Sequence, residues 1–143
     1  VEGRKLILGG VEIPFEKGLL GHSDADALTH AIIDALLGAA GLGDIGRLFP
    51  DTEAAYKGAD SIALLREVIQ RIEANRLRVA HVDATIICER PKIKPHASAM
   101  QTILAEAMHV SPESVSIKAT TTEGMNDEGR GLCISASAIA SLV

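Results

Sequence analysis

Four short polar segments of this chain carry the residue types that bind metals or phosphates. The first runs from Gly21 to His30 and places His22 and Ser23 just before a predicted helix. The free N–H groups of a helix N-terminus favour an anion beside these residues. His30 lies one turn after Asp26 on that helix, so a metal site and a hydrogen-bonded pair are both possible. Zinc needs three or four protein ligands, and the alternative is a helix histidine bonded to a nearby acceptor.

The second segment runs from Gly41 to Thr52 and is rich in glycine. Glycine lets a backbone approach a ligand closely, and the carboxylates of Asp44 and Asp51 could accept hydrogen bonds from sugar-like hydroxyl groups. The alternative is a turn-rich connection in which these aspartates cap local backbone groups.

The third segment begins at Lys118 and holds three consecutive threonines, followed by Glu123 and, seven residues later, Arg130. These groups suit a phosphate with its Mg²⁺ ion, because hydroxyls donate to phosphate oxygens, a carboxylate binds the hard cation and arginine forms a bidentate pair. The alternative is a threonine-rich strand that ends in a solvated loop.

The fourth segment is the stretch from Pro91 to His96. Its two prolines stiffen the backbone, so Lys92 and Lys94 would be presented in a fixed way to an anion or to the edge of a base. Surface basicity alone explains these lysines equally well.

The common catalytic templates are missing from the sequence. It contains no Gly-x-x-x-x-Gly-Lys-Ser/Thr, Gly-x-Ser-x-Gly or Cys-x-x-Cys motif, which removes the usual nucleotide hydrolases, serine hydrolases and thiol oxidoreductases. The residues themselves therefore predict metal-assisted phosphate chemistry without naming a substrate.

Composition narrows the class of protein. The chain has 143 residues, a formal net charge of −5, 47% hydrophobic residues and 2% aromatic residues. Net acidity and scarce aromatic rings argue against nucleic-acid binding and base stacking. The sequence contains no leader-like segment and no apolar run of roughly 18 residues, so we expect no membrane association and a cytoplasmic location. Cys88 and Cys133 lie in apolar stretches and are expected to be reduced and buried.

Hydrophobic periodicity predicts the elements that would position these segments. The pattern gives a hairpin of strands 5–8 and 11–14 around two glycines, helices 24–40 and 95–108, a helix capped at Asp60-Ser61, and strands 79–88, 114–118 and 132–143. The small alternating residues of the last strand suit a sheet face packed against another sheet or subunit. The order predicts one α+β domain over residues 1–143, with helices on one face of a mixed four- to five-stranded sheet.

Taken in order along the chain, the four segments resemble those of one known family. The sequence closely resembles the 2-C-methyl-D-erythritol 2,4-cyclodiphosphate synthases of the non-mevalonate isoprenoid pathway, from about Leu8 to the C-terminus. The resemblance is carried by four motifs with the family's spacing, namely His22-Ser23-Asp24-x-Asp26 to His30, Gly43-Asp44-Ile45-Gly46 to Phe49-Pro50-Asp51-Thr52, Arg90-Pro91-Lys92, and Lys118-Ala119-Thr120-Thr121-Thr122-Glu123.

The resemblance implies an enzyme, a phosphorus–oxygen lyase, that converts 4-diphosphocytidyl-2-C-methyl-D-erythritol 2-phosphate to the cyclodiphosphate and releases CMP. It implies a cytoplasmic homotrimer with its sheets facing one another and with active sites between neighbouring subunits. The implied cofactors are divalent metals, Zn²⁺ or Mn²⁺ and Mg²⁺. The implied partner is the small-molecule cytidine diphosphate substrate, not nucleic acid or a membrane.

The resemblance also assigns roles to individual residues. It implies that His22 and Thr121 are catalytic, as transition-state stabilisers, that His30 binds zinc and that Glu123 binds magnesium. Contacts to the methylerythritol phosphate are implied for His22, Ser23, Asp44, Ile45, Gly46, Phe49, Pro50, Asp51, Thr52 and Glu53. Contacts to the cytidine and its phosphates are implied for Cys88, Glu89, Arg90, Pro91, Lys92, Ile93, Lys94, Thr120, Thr121, Thr122, Glu123 and Arg130, and a further substrate contact for Asp127.

Two features depart from the family's pattern. The Asp-x-His pair that would complete the zinc site with His30 is expected just upstream of Val1, so residues 1–143 are expected to be the domain without its N-terminal Asp-x-His strand. Asp127 stands where the family often has an aromatic residue.

Two other functions remain open at this point. A metal-dependent phosphohydrolase would use a positioned water in place of the internal phosphate and would leave a linear product. A trimeric module that binds isoprenoid phosphates without turnover would fit the missing ligands and the small alternating last strand.

Overall fold

The computed structural model describes residues 6–14, 26–48, 60–89, 91–129 and 134–143, without the side chains of residues 47, 48, 127 and 129. Its elements in chain order are β1 (Leu6–Leu8), β2 (Val11–Ile13), α1 (Ala27–Ala40), α2 (Ile45–Leu48), α3 (Ser61–Ala74), β3 (Val79–Ile87), α4 (Ala97–Met108), β4 (Val115–Thr120), α5 (Asn126–Gly129) and β5 (Ser135–Leu142). Short 3₁₀ turns precede α4 (Lys94–His96) and β4 (Pro112–Ser114).

The strands form a mixed sheet and a separate hairpin. In the three-stranded sheet, β3 lies between β4, to which it is parallel, and β5, to which it is antiparallel. β1 and β2 pair with each other as the second sheet. The predicted α+β arrangement with a mixed sheet is confirmed. Among the described residues the mixed sheet has three strands and not the predicted four to five, because β1 and β2 pair only with each other.

The hairpin turn requires its two glycines. Gly9 and Gly10 have positive φ angles of +57° and +78°, which glycine adopts at little steric cost. The turn also lies against the helices, since a Cβ added to Gly10 would be 2.8 Å from Cγ1 of Ile62 and 2.9 Å from Cγ2 of Ile103. Backbone conformation and close packing therefore both exclude a larger residue at Gly10.

The first long helix starts at a buried carboxylate. Asp26 has an extended backbone and its side chain accepts a hydrogen bond from the Thr29 amide at 2.9 Å, so the described helix begins at Ala27. The helix ends at Ala40 as predicted, because Gly41 takes the left-handed conformation with φ of +71° and closes the last turn.

The other two long helices also follow the predicted pattern. Asp60 caps α3 by accepting a hydrogen bond from the Ile62 amide at 2.8 Å. The apolar stripe predicted for this helix is buried, namely Ile62, Leu65, Val68, Ile69 and Ile72. α4 starts after the 3₁₀ turn and ends at Met108, where His109 caps it in the left-handed conformation. The longest helices in these ranges have 14 residues, and none of those described is long and apolar enough to span a bilayer.

The helices cover one face of the mixed sheet, and the core lies between them. Val82, Ala84 and Ile86 of β3 point into this core. The small residues of β5 were expected to face another sheet or subunit. Ala138 and Ala140 instead pack against the molecule's own core. The exposed residues of β5 are instead Ser137, Ile139 and Ser141. Cys88 is buried, as expected, and Cys133 lies outside the described residues.

Candidate active site

Two of the predicted segments meet at one edge of the mixed sheet. β3 and β4 run parallel with Ile87 opposite Thr120, so both strands end at the same edge. Beyond the pairing, the amide of Cys88 donates a hydrogen bond to the carbonyl of Thr120 at 3.0 Å. The segment that follows β3 and the threonine turn that follows β4 therefore start side by side. Ligands in sheets with parallel strands commonly bind at this carboxyl edge.

The segment after β3 is anchored by buried side chains and exposes its lysines. Cys88 is 5% exposed and Ile93 is 3% exposed, and the Cys88 thiol lies 3.4 Å from the carbonyl oxygen of Pro91. Lys92 and Lys94 are exposed. Cys88 and Ile93 therefore fix the backbone between them, while both ammonium groups are accessible to an anion.

Glu89 has an incompletely satisfied carboxylate. One of its oxygens, Oε2, is buried and has no hydrogen-bond partner among the described residues. Buried polar atoms normally have such a partner. A donor group on a ligand at this edge of the sheet would supply one.

A cavity of about 280 Å³ lies between this segment and β4. It is lined by Ile93, Lys94, Ala97, Ile117, Lys118 and Ala119. Apolar walls with a few polar groups are typical of small-molecule sites. Sequence reasoning missed Ala97 and Ile117 as site residues; the signal that could have found Ile117 is its spacing of two from Ala119, which places both on one face of a strand.

The threonine turn after β4 has a strained backbone. Glu123 has a φ of +57° and Gly124 a φ of +83°, and a left-handed conformation costs a non-glycine residue about 1–2 kcal/mol. The Thr121 hydroxyl accepts a hydrogen bond from the Glu123 amide at 3.2 Å, and the Thr122 hydroxyl donates to the carbonyl of Met125. The turn holds the Glu123 side chain exposed to solvent.

The three threonine hydroxyls differ in how their protons are used. Thr122 gives its proton to Met125, and Thr120 donates to the Thr121 carbonyl at 3.4 Å. The Thr121 hydroxyl acts as an acceptor in its bond to Glu123. Because a hydroxyl has one proton and two acceptor positions, Thr121 can still donate to a ligand oxygen.

A second group of predicted residues lies around α1. Nε2 of His30 is 3.0 Å from the hydroxyl oxygen of Ser61. Burial raises the pKa of Asp34, which is one turn after His30; the nearby His30 lowers that pKa and the carboxylate of Asp44 raises it. His30, Asp34 and Asp44 are thus close enough to influence one another electrostatically.

The Asp26 side chain accepts hydrogen bonds from backbone amides in this region. Its carboxylate accepts hydrogen bonds from the amides of Gly9 (2.9 Å) and Gly10 (2.8 Å) and from the amide and hydroxyl of Thr29 (2.9 and 2.7 Å). Burial raises its pKa, and these hydrogen bonds oppose the shift. Asp26 therefore ties the hairpin turn to the start of the helix that carries His30.

Asp44 is exposed and is flanked by glycines. Gly43 has a φ of +89°, and Asp44 and Gly46 are exposed just before and within the one-turn helix α2. Ile45 packs against the core. Asp44 can thus face a ligand while Ile45 anchors the turn.

Two described residues could each provide one ligand to a metal ion. His30 offers an imidazole, a usual zinc ligand, and Glu123 offers an exposed carboxylate of the kind that Mg²⁺ binds together with substrate phosphates. Within the described residues, no group of three or more His, Cys, Asp or Glu side chains is arranged to hold an ion. Both residues fit the metals predicted for them as single ligands.

Several predicted site residues cannot be compared with the structure. His22, Ser23, Phe49, Pro50, Asp51, Thr52, Glu53, Arg90 and Arg130 lie outside the described residues, as does the side chain of Asp127. Their roles stay predictions.

Comparison with known proteins gives a consistent result. The model of the YgbB family matches residues 1–143. A 2-C-methyl-D-erythritol 2,4-cyclodiphosphate synthase from Synechococcus sp. strain JA-2-3B'a(2-13) is 56% identical over 143 residues, which is 100% of this chain and 91% of that protein.

Solved structures agree with this likeness. A synthase of the same name in a CDP-bound form is 38% identical, with a TM-score of 0.89 over 100% of this chain and 93% of that one. The bifunctional IspDF protein of Campylobacter jejuni is 37% identical, with a TM-score of 0.93 over 99% of this chain, which spans 38% of that larger protein.

Proposed function

Because this chain belongs to the YgbB family, it is an enzyme that forms 2-C-methyl-D-erythritol 2,4-cyclodiphosphate in isoprenoid biosynthesis, and we propose that the β3–β4 edge binds its cytidine nucleotide substrate. The substrate of this proposal is 4-diphosphocytidyl-2-C-methyl-D-erythritol 2-phosphate, and the second product is CMP. The observation that carries it is the hydrogen bond from Cys88 to Thr120, which brings the lysine segment and the threonine turn together.

The cavity beside β4 would take the cytosine ring. Its apolar walls include Ile93 and Ala119, and its volume is about 280 Å³. Lys94 also lines the cavity. The base and the adjoining phosphates would therefore contact different faces of the segment that follows β3. The CDP-bound relative supports a cytidine nucleotide as the ligand.

The threonine turn and the lysines would hold the diphosphate. Thr121 has a hydroxyl proton that its bond to Glu123 does not use, and Lys92 has an exposed ammonium group. Hydrogen bonds that involve a charged partner are about twice as strong as neutral ones. These donors would offset the negative charge on the oxygens of the transferred phosphoryl group.

The reaction needs positioning more than proton transfer. An ionised oxygen of the 2-phosphate attacks one phosphorus of the diphosphate, the one bonded through oxygen to the methylerythritol. A new P–O–P bond closes the ring, and the bond to the cytidine-side phosphate breaks, so that CMP leaves with the electron pair. Because the nucleophile is already an anion, no general base is required, and the barrier falls when two repelling phosphates are held in line.

Metal ions form part of the same proposal. His30 would be one ligand of a Zn²⁺ (or Mn²⁺) ion, and Glu123 would be one ligand of a Mg²⁺ ion. When bound, such ions act as Lewis acids that offset phosphate charge. The roles of His22, Ser23 and Arg130 toward the phosphates are carried over from the resemblance in the same way.

We also propose that three copies of the chain associate through the face of the sheet opposite the helices. That face presents Ile139, which is 75% exposed, next to the ion pair between Lys118 and Asp83 at 3.0 Å. An isoleucine exposed on a sheet face is suited to burial against another copy. The cytoplasmic location remains a prediction from the sequence.

Phosphorus NMR of the substrate with enzyme, Zn²⁺ and Mg²⁺ tests this function. The proposal expects the cyclic diphosphate and CMP, whereas a phosphohydrolase would give a linear product and a binding module would leave the substrate unchanged. The relatives' names do not favour the binding module. Thr121→Val should lower kcat by about 10²–10³-fold, and Thr102→Val, which removes a hydroxyl bonded to the Ser98 carbonyl on α4, should not.

A further inference from the structure

The contact between Ser61 and His30 joins the first turns of two helices. The hydroxyl oxygen of Ser61 is 3.0 Å from Nε2 of His30. Ser61 is only 1% exposed and is the first residue of α3. A buried hydroxyl needs hydrogen-bond partners, and the imidazole of His30 is one of them.

Both sides of this contact are held by capped helix starts. On α3, Asp60 caps the turn that begins with Ser61. On α1, the amide of His30 donates to the carbonyl of Asp26 at 3.0 Å, and the Asp26 carboxylate is fixed by the hairpin turn and by Thr29. The two backbone segments that carry the hydroxyl and the ring are therefore each held by a cap.

We propose that Ser61 is a positioning residue that accepts the Nε2 proton of His30 and so presents the Nδ1 lone pair to the metal. A neutral imidazole carries one proton, and the hydrogen bond made by one nitrogen fixes which nitrogen can bind a metal. If Ser61 donated to Nε2 instead, the proton would be on Nδ1. Metal binding would then have to break the contact with Ser61.

This inference deepens the metal role of His30 in the proposed function and rests on it. It adds one residue to that role, Ser61 of α3, which the sequence indicates only as part of a helix cap. Hydrogen-bond partners of metal-binding histidines commonly affect metal affinity by about 10–100-fold. We expect a loss of that size in Ser61→Ala.

The test combines two measurements on the full-length protein. Long-range ¹H–¹⁵N correlation spectra of the metal-free wild type report the tautomer of His30, whose signal is assigned with His30→Gln. Competition with a chromogenic chelator gives the Zn²⁺ dissociation constants of the wild type, Ser61→Ala and Ser61→Thr. Thr102→Val is the control, because it removes a hydroxyl that donates to the Ser98 carbonyl on α4 and not to any group that holds His30 or Ser61.

The expected result is an Nε2-protonated His30 in the wild type, weaker zinc binding in Ser61→Ala, and recovery of most of the affinity in Ser61→Thr. Thr102→Val should keep both the tautomer and the affinity. An Nδ1-protonated His30 in the wild type would overturn the inference without any variant. Equal zinc affinity of the wild type and Ser61→Ala would overturn this inference but not the metal role of His30. A wild type that binds no zinc would overturn both the inference and the proposed metal role.

Discussion

The amide nitrogen of Cys88 and the carbonyl oxygen of Thr120 are 3.0 Å apart and form a hydrogen bond. This bond lies just beyond the last paired residue of β3, Ile87. It continues the parallel pairing into the segments that carry the lysines and the threonines. The position of the candidate nucleotide site is therefore set by main-chain hydrogen bonds.

Glu123→Gly should make the protein more stable and less active. Glycine relieves the left-handed backbone at this position, and we expect a gain of about 1 kcal/mol in the free energy of unfolding. The loss of the carboxylate should weaken the response to Mg²⁺. Urea denaturation and turnover measured across a Mg²⁺ titration check both effects.

Glu123→Gln is the control for that variant. It keeps the strained backbone and removes only the charge, so its activity should fall without any gain in stability. A Glu123→Gly enzyme with unchanged turnover and unchanged Mg²⁺ dependence would show that this carboxylate has no part in the reaction.

Lys92→Met should raise KM for the substrate by about tenfold, since a hydrogen bond to a charged group contributes roughly 1.5–3 kcal/mol. The effect should shrink as salt is added, because Lys92 is exposed and exposed charges are screened. Steady-state kinetics at low and high salt measure it. Arg66→Met removes one positive charge from the exposed side of α3; an equal rise in KM there would mean that only net charge matters.

Asp26 should make the stability of the protein depend on pH in a defined direction. Burial raises its pKa above the ordinary value of 3.8, so the folded state holds this proton more tightly than the unfolded chain. Its contribution is then complete below about pH 3.8 and is lost as the pH rises through the folded pKa. Urea unfolding at a series of pH values measures the trend.

Asp26→Asn removes this titration. The stability of the wild type relative to Asp26→Asn should therefore fall as the pH increases from the acid side. Asp34, whose pKa is also raised, is present in both proteins and cancels in the difference. A difference that stays constant or grows with pH would contradict the assignment.

If the chain forms the proposed trimer, Ile139→Glu should convert it to monomers and lower activity. A charge at this exposed position of β5 would have to be desolvated in an interface between copies. Analytical ultracentrifugation gives the mass directly. Ala63→Glu places the same charge on the exposed side of α3, and dissociation of that control would point away from the sheet face.

The helices could be predicted because their signals are local. Asp60 and Gly41 act on the turn beside them, and the stripe that includes Leu65 and Ile69 repeats within one helix. The Gly9-Gly10 turn was recognisable for the same reason. Capping, periodicity and turn chemistry all depend on residues a few positions apart.

Long-range relationships could not be predicted in this way. The pairing of Val82 with Val115 brings two motifs to one edge, and nothing in either strand marks its partner. The alternation of β5 identifies two faces but does not say that Ala138 is on the core side. The sequence indicates Ser61 only as part of a helix cap, because its contact with His30 depends on how two helices pack.

A crystal structure of the protein with CDP would test the central claim most directly. The account predicts the cytosine in the cavity beside Ile93 and Ala119, with the diphosphate oxygens within hydrogen-bonding distance of the Thr121 hydroxyl and the Lys92 ammonium. CDP bound at another surface, with the cavity and Thr121 untouched, would contradict it.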